Sequence, residues 1–241
     1  QDDVVISLTA GQTLTNDMPR MGKSISFGTA THLSANTIAQ TLYGSLDLTG
    51  MGATFTTGTT GTWAFEGRGA FNLTSNGKIF GATITIQPIG GSLTLLDAYA
   101  VTGSVGIADN AGTFDANDFN VSLGSQYFQG GTVTLNMGNG TWTLSGTTTK
   151  WIGTAGSTVN SESSTILISD TSATAKTFAG ASKVFNNLSI TGGGTGAVII
   201  TGANTFASLQ TDNTTARTWQ FPASTVTTVR PGGFRLAGQT N

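Results

Sequence analysis

The sequence predicts an all-β protein built as a parallel β-solenoid, a stack of short strands wound into coils around one elongated core. Three observations predict it. Short runs alternate apolar and polar residues, Gly, Asn, Asp or Ser closes most of them, and the runs return at intervals of about 20–35 residues. A β-sandwich is the alternative, because antiparallel hairpins give the same alternation.

Taken in order, residues 1–40 read as an N-terminal β segment or cap containing the runs VVISL and SISF. THLSANTIAQTL, at Thr31–Leu42, carries the one arguable 3.6-residue pattern, but its Thr and Asn are poor helix formers. Residues 41–229 read as a repeated β module, with a diverged copy over about 41–131, a second over about 132–229, and a tail at 230–241. Trp63 in GTWAF and Trp142 in GTWTL serve as landmarks of the two copies, as do Lys78-Ile79-Phe80 and Lys183-Val184-Phe185. Asn76-Gly77 and Asn139-Gly140 are two-residue turn signals, and the second, flanked by good strands, predicts a local hairpin. Parity within the runs turns Trp63 with Phe65, Trp142 with Leu144 and Trp219 with Phe221 toward the core.

In AKTFAGASKVFNNLSI, Phe178 plugs the core, Gly180 permits a tight turn, and Phe185, Leu188 and Ile190 fill the next layer. Asn186-Asn187 falls at the corner, where amides satisfy turn backbone groups or stack on neighbouring coils.

Composition narrows the function. Only 9% of the 241 residues are charged while 34 are Gly and 45 are Thr, so the surface is coated with hydroxyls and amides rather than ion pairs. Secreted and virion β-proteins often have that coat. A net charge of −2 and ten scattered Lys and Arg give no basic stripe for nucleic acid. The longest aliphatic run, AVII at Ala197–Ile200, is far short of the ~20 residues a membrane helix needs. There is no Cys, hence no disulfide framework and no thiolate metal site.

Residues suited to chemistry are few. His32 is the single histidine, and no Gly-x-Ser-x-Gly elbow accompanies it. Gly22-Lys23-Ser24 lacks the first glycine of a phosphate loop, position 17 being Asp. The one acidic cluster, Asp109, Asp115 and Asp118, reads as turn formation, with a structural ion or a catalytic dyad as alternatives. Glu66 and Arg68 share one strand face and read as an exposed ion pair. Five sequons, at Asn72, Asn120, Asn139, Asn187 and Asn213, are what so much Thr and Ser produces by chance. No catalytic residue, cofactor or metal is assigned.

Three aromatics are candidates for ligand contact. In TLYGSLDL the parity of Leu42, Leu46 and Leu48 turns Tyr43 outward beside Ser45 and Asp47, and a ring flanked by short polar groups suits a sugar. Tyr127 in GSQYFQGG and Trp151 in TTTKWIGT lie next to turn residues and join it.

The runs GTFDANDFNVSLGSQYF, GTWTLSGTTTKW, STILISDTSATAKTFAGASKVFNNLSITGG, TGANTFASLQTDN and TWQFPASTVTTV resemble a repeated Gly/Thr-rich β module. That module belongs to tail-fibre and other virion-associated structural proteins of tailed bacteriophages, and to large surface proteins of environmental bacteria. The likeness runs from Ser92 to about Val229. Where the family often has Gly-Gly-Gly-Lys-Thr-Tyr-Asn-Asn-Leu, this chain has Gly-Ala-Ser-Lys-Val-Phe-Asn-Asn-Leu.

The resemblance implies an extracellular structural or adhesive role and carries over no catalytic residue. The expectation is therefore a virion protein, part of a tail fibre or surface appendage, that attaches to a host, forms a homo-oligomer (a trimer in a fibre), joins other virion proteins and contacts a host glycan. A bacterial adhesin or filament subunit and a polysaccharide-degrading β-helix enzyme are the alternatives.

Overall fold

The computed structural model describes residues 3–7, 12–15, 20–28, 31–35, 39–57, 62–81, 84–107, 112–147, 149–211 and 216–236. Among them every element is a strand and every strand pairing is parallel, so the protein is a β-solenoid. The chain visits three faces in turn and then returns to the first, one layer along. Ser92 pairs with Thr113 and Thr113 with Thr134, a rise of about 4.8 Å per coil.

The first face stacks eight strands from Val4–Ile6 to Thr158–Asn160 among the described residues. The second stacks ten, from Arg20–Gly22 to Trp219–Gln220. The third begins with Thr13–Thr15, Thr31–Ala35 and Met51–Thr57 and continues with nine strands from Ile79–Phe80 to Phe234–Leu236. THLSANTIAQTL thus forms two strands, Thr31–Ala35 and Gln40–Leu42, and no helix. After Thr158–Asn160 the chain alternates between faces two and three, and the seven-residue strand Val184–Ile190 extends face three past the corner.

Alternation does the sorting. Every second residue of a strand points into the coil, and in a parallel stack each meets its equivalent in the next coil. Trp63, Ile84, Val105, Tyr127, Trp151, Phe178 and Ile200 form one such column on face two, all buried. Phe71, Leu93, Phe114 and Leu135 form another on face one, and Tyr99, Val121, Trp142, Ile166, Leu188 and Leu209 a third on face three. Rings touch along the face-two column and across the coil: Trp151 stacks on its column neighbours Tyr127 at 4.0 Å and Phe178 at 5.7 Å, and abuts Phe185 of face three edge-on at 5.7 Å.

Several expectations change. No hairpin forms at either Asn-Gly pair: Asn76-Gly77 and Asn139-Gly140 both sit at the corner where the chain leaves face one for face three. Left-handed φ at Asn76 (49°) and Gly77 (68°) turns such a corner as readily as it closes a hairpin. Trp63 lies on face two and Trp142 on face three, so the landmark tryptophans are not equivalent positions. Trp219 is half-buried, and Phe221 is 43% exposed rather than in the core.

Gly180 is not the left-handed residue of its turn. Ala181 (φ 54°) and Ser182 (φ 61°) are, whereas a Cβ on Gly180 would lie 2.4 Å from Asn204 Oδ1 and 2.8 Å from the Phe185 ring. Phe178, Phe185, Leu188 and Ile190 fill the core as expected. Asn187 bridges neighbouring coils: its amide donates to Thr165 Oγ1 and its carbonyl accepts from Ser208 Oγ.

Candidate functional site: a corner groove around Tyr43

A groove of about 510 Å³ runs along the corner where the chain leaves face two for face one, lined by Lys23, Tyr43, Glu66, Gly67, Arg68, Gly69 and Ile89. It is built by the coil repeat. Lys23 follows the strand Arg20–Gly22, Tyr43 follows Gln40–Leu42, Glu66 follows Trp63–Phe65, and Ile89 lies just beyond Ile84–Ile86. Four successive coils therefore each deliver a side chain to one edge.

Tyr43 is half-buried between two inward residues, the fully buried Leu42 and Gly44, as its parity requires. Glycine brings the coils close here: a Cβ on Gly67 would lie 2.5 Å from the Phe71 ring and 2.9 Å from the Tyr43 carbonyl. Gly69 is different, since a Cβ there would meet nothing within 4 Å, and it leaves the groove open. Ile89, 37% exposed, adds apolar lining.

The expected Glu66–Arg68 ion pair does not form; both side chains line the groove without pairing with each other or with another charge among the described residues. Lys23 has a loose partner in Asp3 at 3.8 Å, both well exposed. Such a contact is worth under about 1 kcal/mol.

Tyr127 and Trp151 do not join Tyr43. Both are fully buried on face two, in register with each other, and a ring without exposed surface is out of a ligand's reach. Their neighbouring turn residues do not mark exposure, because strands of only two or three residues bring an inward position directly beside a turn. Burial also pushes the phenol of Tyr127 well above its ordinary value.

Asp115 and Asp118 hold corners. Asp115 Oδ1 accepts from the Asn117 amide at 2.8 Å, and Asp118 Oδ1 accepts from both the backbone and side-chain nitrogens of Asn139, one coil on, at 2.9 Å each. Asp97 does the same for Ser75 and Asn76. Asp109 lies outside the described residues. Among the described residues no three His, Asp or Glu side chains gather as metal ligands, and no helix is long and apolar enough to cross a membrane. His32 sits on the strand Thr31–Ala35, with Thr13 as its register partner.

A charged cluster inside the coil was not anticipated. Asp170, in the loop between Thr165–Ile168 and Lys176–Ala179, accepts from the Ser172 amide (2.9 Å) and hydroxyl (2.8 Å) and meets Lys176 Nζ at 3.0 Å and Lys150 Nζ at 3.6 Å. Lys176 also donates to the carbonyls of Ser172 and Thr174, each at 2.7 Å, while Lys150 Nζ makes no hydrogen bond among the described residues. Burial pushes the Asp170 carboxyl up, but the Ser172 donors and the two ammonium groups outweigh it and bring it down to about 2. Burial lowers Lys150, opposed by Asp170 and reinforced by Lys176. The signal was present in the sequence, since Lys176 shares the inward parity of Phe178.

A scan against protein-family models finds no match to this chain, and searches of the curated proteins and of the solved structures find none either.

Proposed function

We propose that the protein is an extracellular structural component of a virion, part of a tail fibre or related surface appendage, and that it takes part in attachment to a host. The observation that carries the reading is the groove. Four coils converge on the half-buried Tyr43 beside a carboxylate and a guanidinium that pair with no other charge among the described residues, whereas Asp97, Asp115, Asp118 and Asp170 are spent on corners and core. Among the described residues one carboxylate lines the groove, and glycoside cleavage ordinarily takes two, so the arrangement suits holding a glycan better than cutting it.

A homo-oligomer belongs to the same proposal. Phe221, Val226 and Phe234 border an apolar depression of about 480 Å³ in the last coil and are 43%, 74% and 50% exposed, which suits contact with a second copy. The test of the function is competition. Purified protein added in excess should bind host cells and block adsorption of the intact particle, and protein that neither binds nor competes would refute the reading.

A further inference from the structure

We propose that the Tyr43 groove takes a saccharide bearing a carboxylate, such as a uronic acid unit, with Arg68 on the acid group, Glu66 on ring hydroxyls and Tyr43 against the C–H face of the ring. The proposal rests on the attachment reading above and names the ligand class of the same site.

Three features point to this class. Arg68 and Glu66 lie two residues apart in the lining and pair neither with each other nor with another charge among the described residues, which leaves both groups to offer a ligand. A guanidinium fork matches a carboxylate in two parallel bonds, a stronger contact than it makes with a neutral hydroxyl. The lining residues also run against the chain as a whole. Two cations, Lys23 and Arg68, face one acid, Glu66, in a protein of net charge −2, and Asp3 answers Lys23 only at 3.8 Å.

Shape agrees with charge. A pyranose presents polar edges and an apolar face; Tyr43 and Ile89 supply apolar surface, and the vacant side of Gly69 admits the ring from solvent. The volume, about 510 Å³, falls within the range of small-ligand sites.

The test titrates the whole protein, by calorimetry, with an oligogalacturonate and with a neutral galacto-oligosaccharide of equal length. The acidic sugar should bind and the neutral one should bind at least about tenfold more weakly. Arg68→Gln should remove that preference, Tyr43→Ala should weaken both sugars, and Lys78→Gln, at a different corner, should change nothing. Far-UV circular dichroism confirms that each variant keeps its strands.

Equal binding of the two sugars, with Arg68→Gln silent, would overturn the acidic class while leaving a glycan at the groove. Binding of the acidic sugar that survives both Tyr43→Ala and Arg68→Gln would overturn the site. Binding of neither sugar would overturn this proposal, and the adsorption assay then decides the attachment reading separately.

Discussion

Replacing Asp170 by Asn keeps the shape of the side chain and removes its charge, which leaves Lys150 and Lys176, both without exposed surface, facing each other with no counter-ion. Losing one partner of a buried ion pair costs about 3–5 kcal/mol, because the remaining charge stays desolvated. The pH dependence gives a second measure. The folded carboxyl titrates at about 2 against roughly 3.9 in an unfolded chain, so ionised Asp170 contributes about 2–3 kcal/mol. A depressed carboxyl stabilises above its unfolded value, and that contribution fades as pH falls from about 4 toward 2. Urea unfolding at pH 7 and near pH 2, followed by intrinsic tryptophan fluorescence, should show Asp170→Asn several kcal/mol below the parent at pH 7 and most of the gap closed in acid. A variant within about 0.5 kcal/mol of the parent at pH 7, or a gap unchanged by acid, would refute the reasoning.

Other substitutions test neighbouring parts. Lys176→Met should destabilise strongly, since it strands the Ser172 and Thr174 carbonyls and takes from Asp170 its closer ammonium, whereas Lys150→Met removes the farther cation, which makes no hydrogen bond among the described residues, and should be much nearer neutral; urea midpoints compare the two. Phe178→Ala empties the centre of the ring cluster formed with Trp151, Phe185 and Phe206 and should cost about 3–5 kcal/mol by the same measurement. Ala181→Gly should stabilise by roughly 0.5–1 kcal/mol, read as a higher melting temperature, because Ala181 is held at φ 54° where glycine has no Cβ penalty.

Strand positions and inward faces were readable because parity is local: TWTL, SLTL and TILI each carry their own in-or-out assignment. Strand direction was only partly readable. Asn76-Gly77 offers left-handed backbone, and nothing in the dipeptide says whether the next strand pairs beside the last one or departs to another face. Repeat phase was harder still, since Trp63 and Trp142 sit in matching Gly-Thr-Trp contexts on different faces. Of the proposed contact residues, Tyr43 was placed outward by the leucines around it, while Tyr127 and Trp151 had no long alternating run to fix their parity.

The groove itself could not be read from any single stretch. Lys23, Tyr43, Glu66 and Ile89 become neighbours only once the register is known, for example Gln40 against Trp63 and Trp63 against Ile84. The charged cluster was legible only in half. Parity with Phe178 turns Lys176 inward, and a buried ammonium needs an acid, but nothing local says that Asp170 in the preceding loop supplies it.

The proposal that this chain is built into a surface appendage is tested most directly by immunoelectron microscopy of native particles with antibody raised against the purified protein. Gold particles should line a fibre or tail appendage. Particles that carry no label, with the protein confined to the interior of the producing cell, would contradict it.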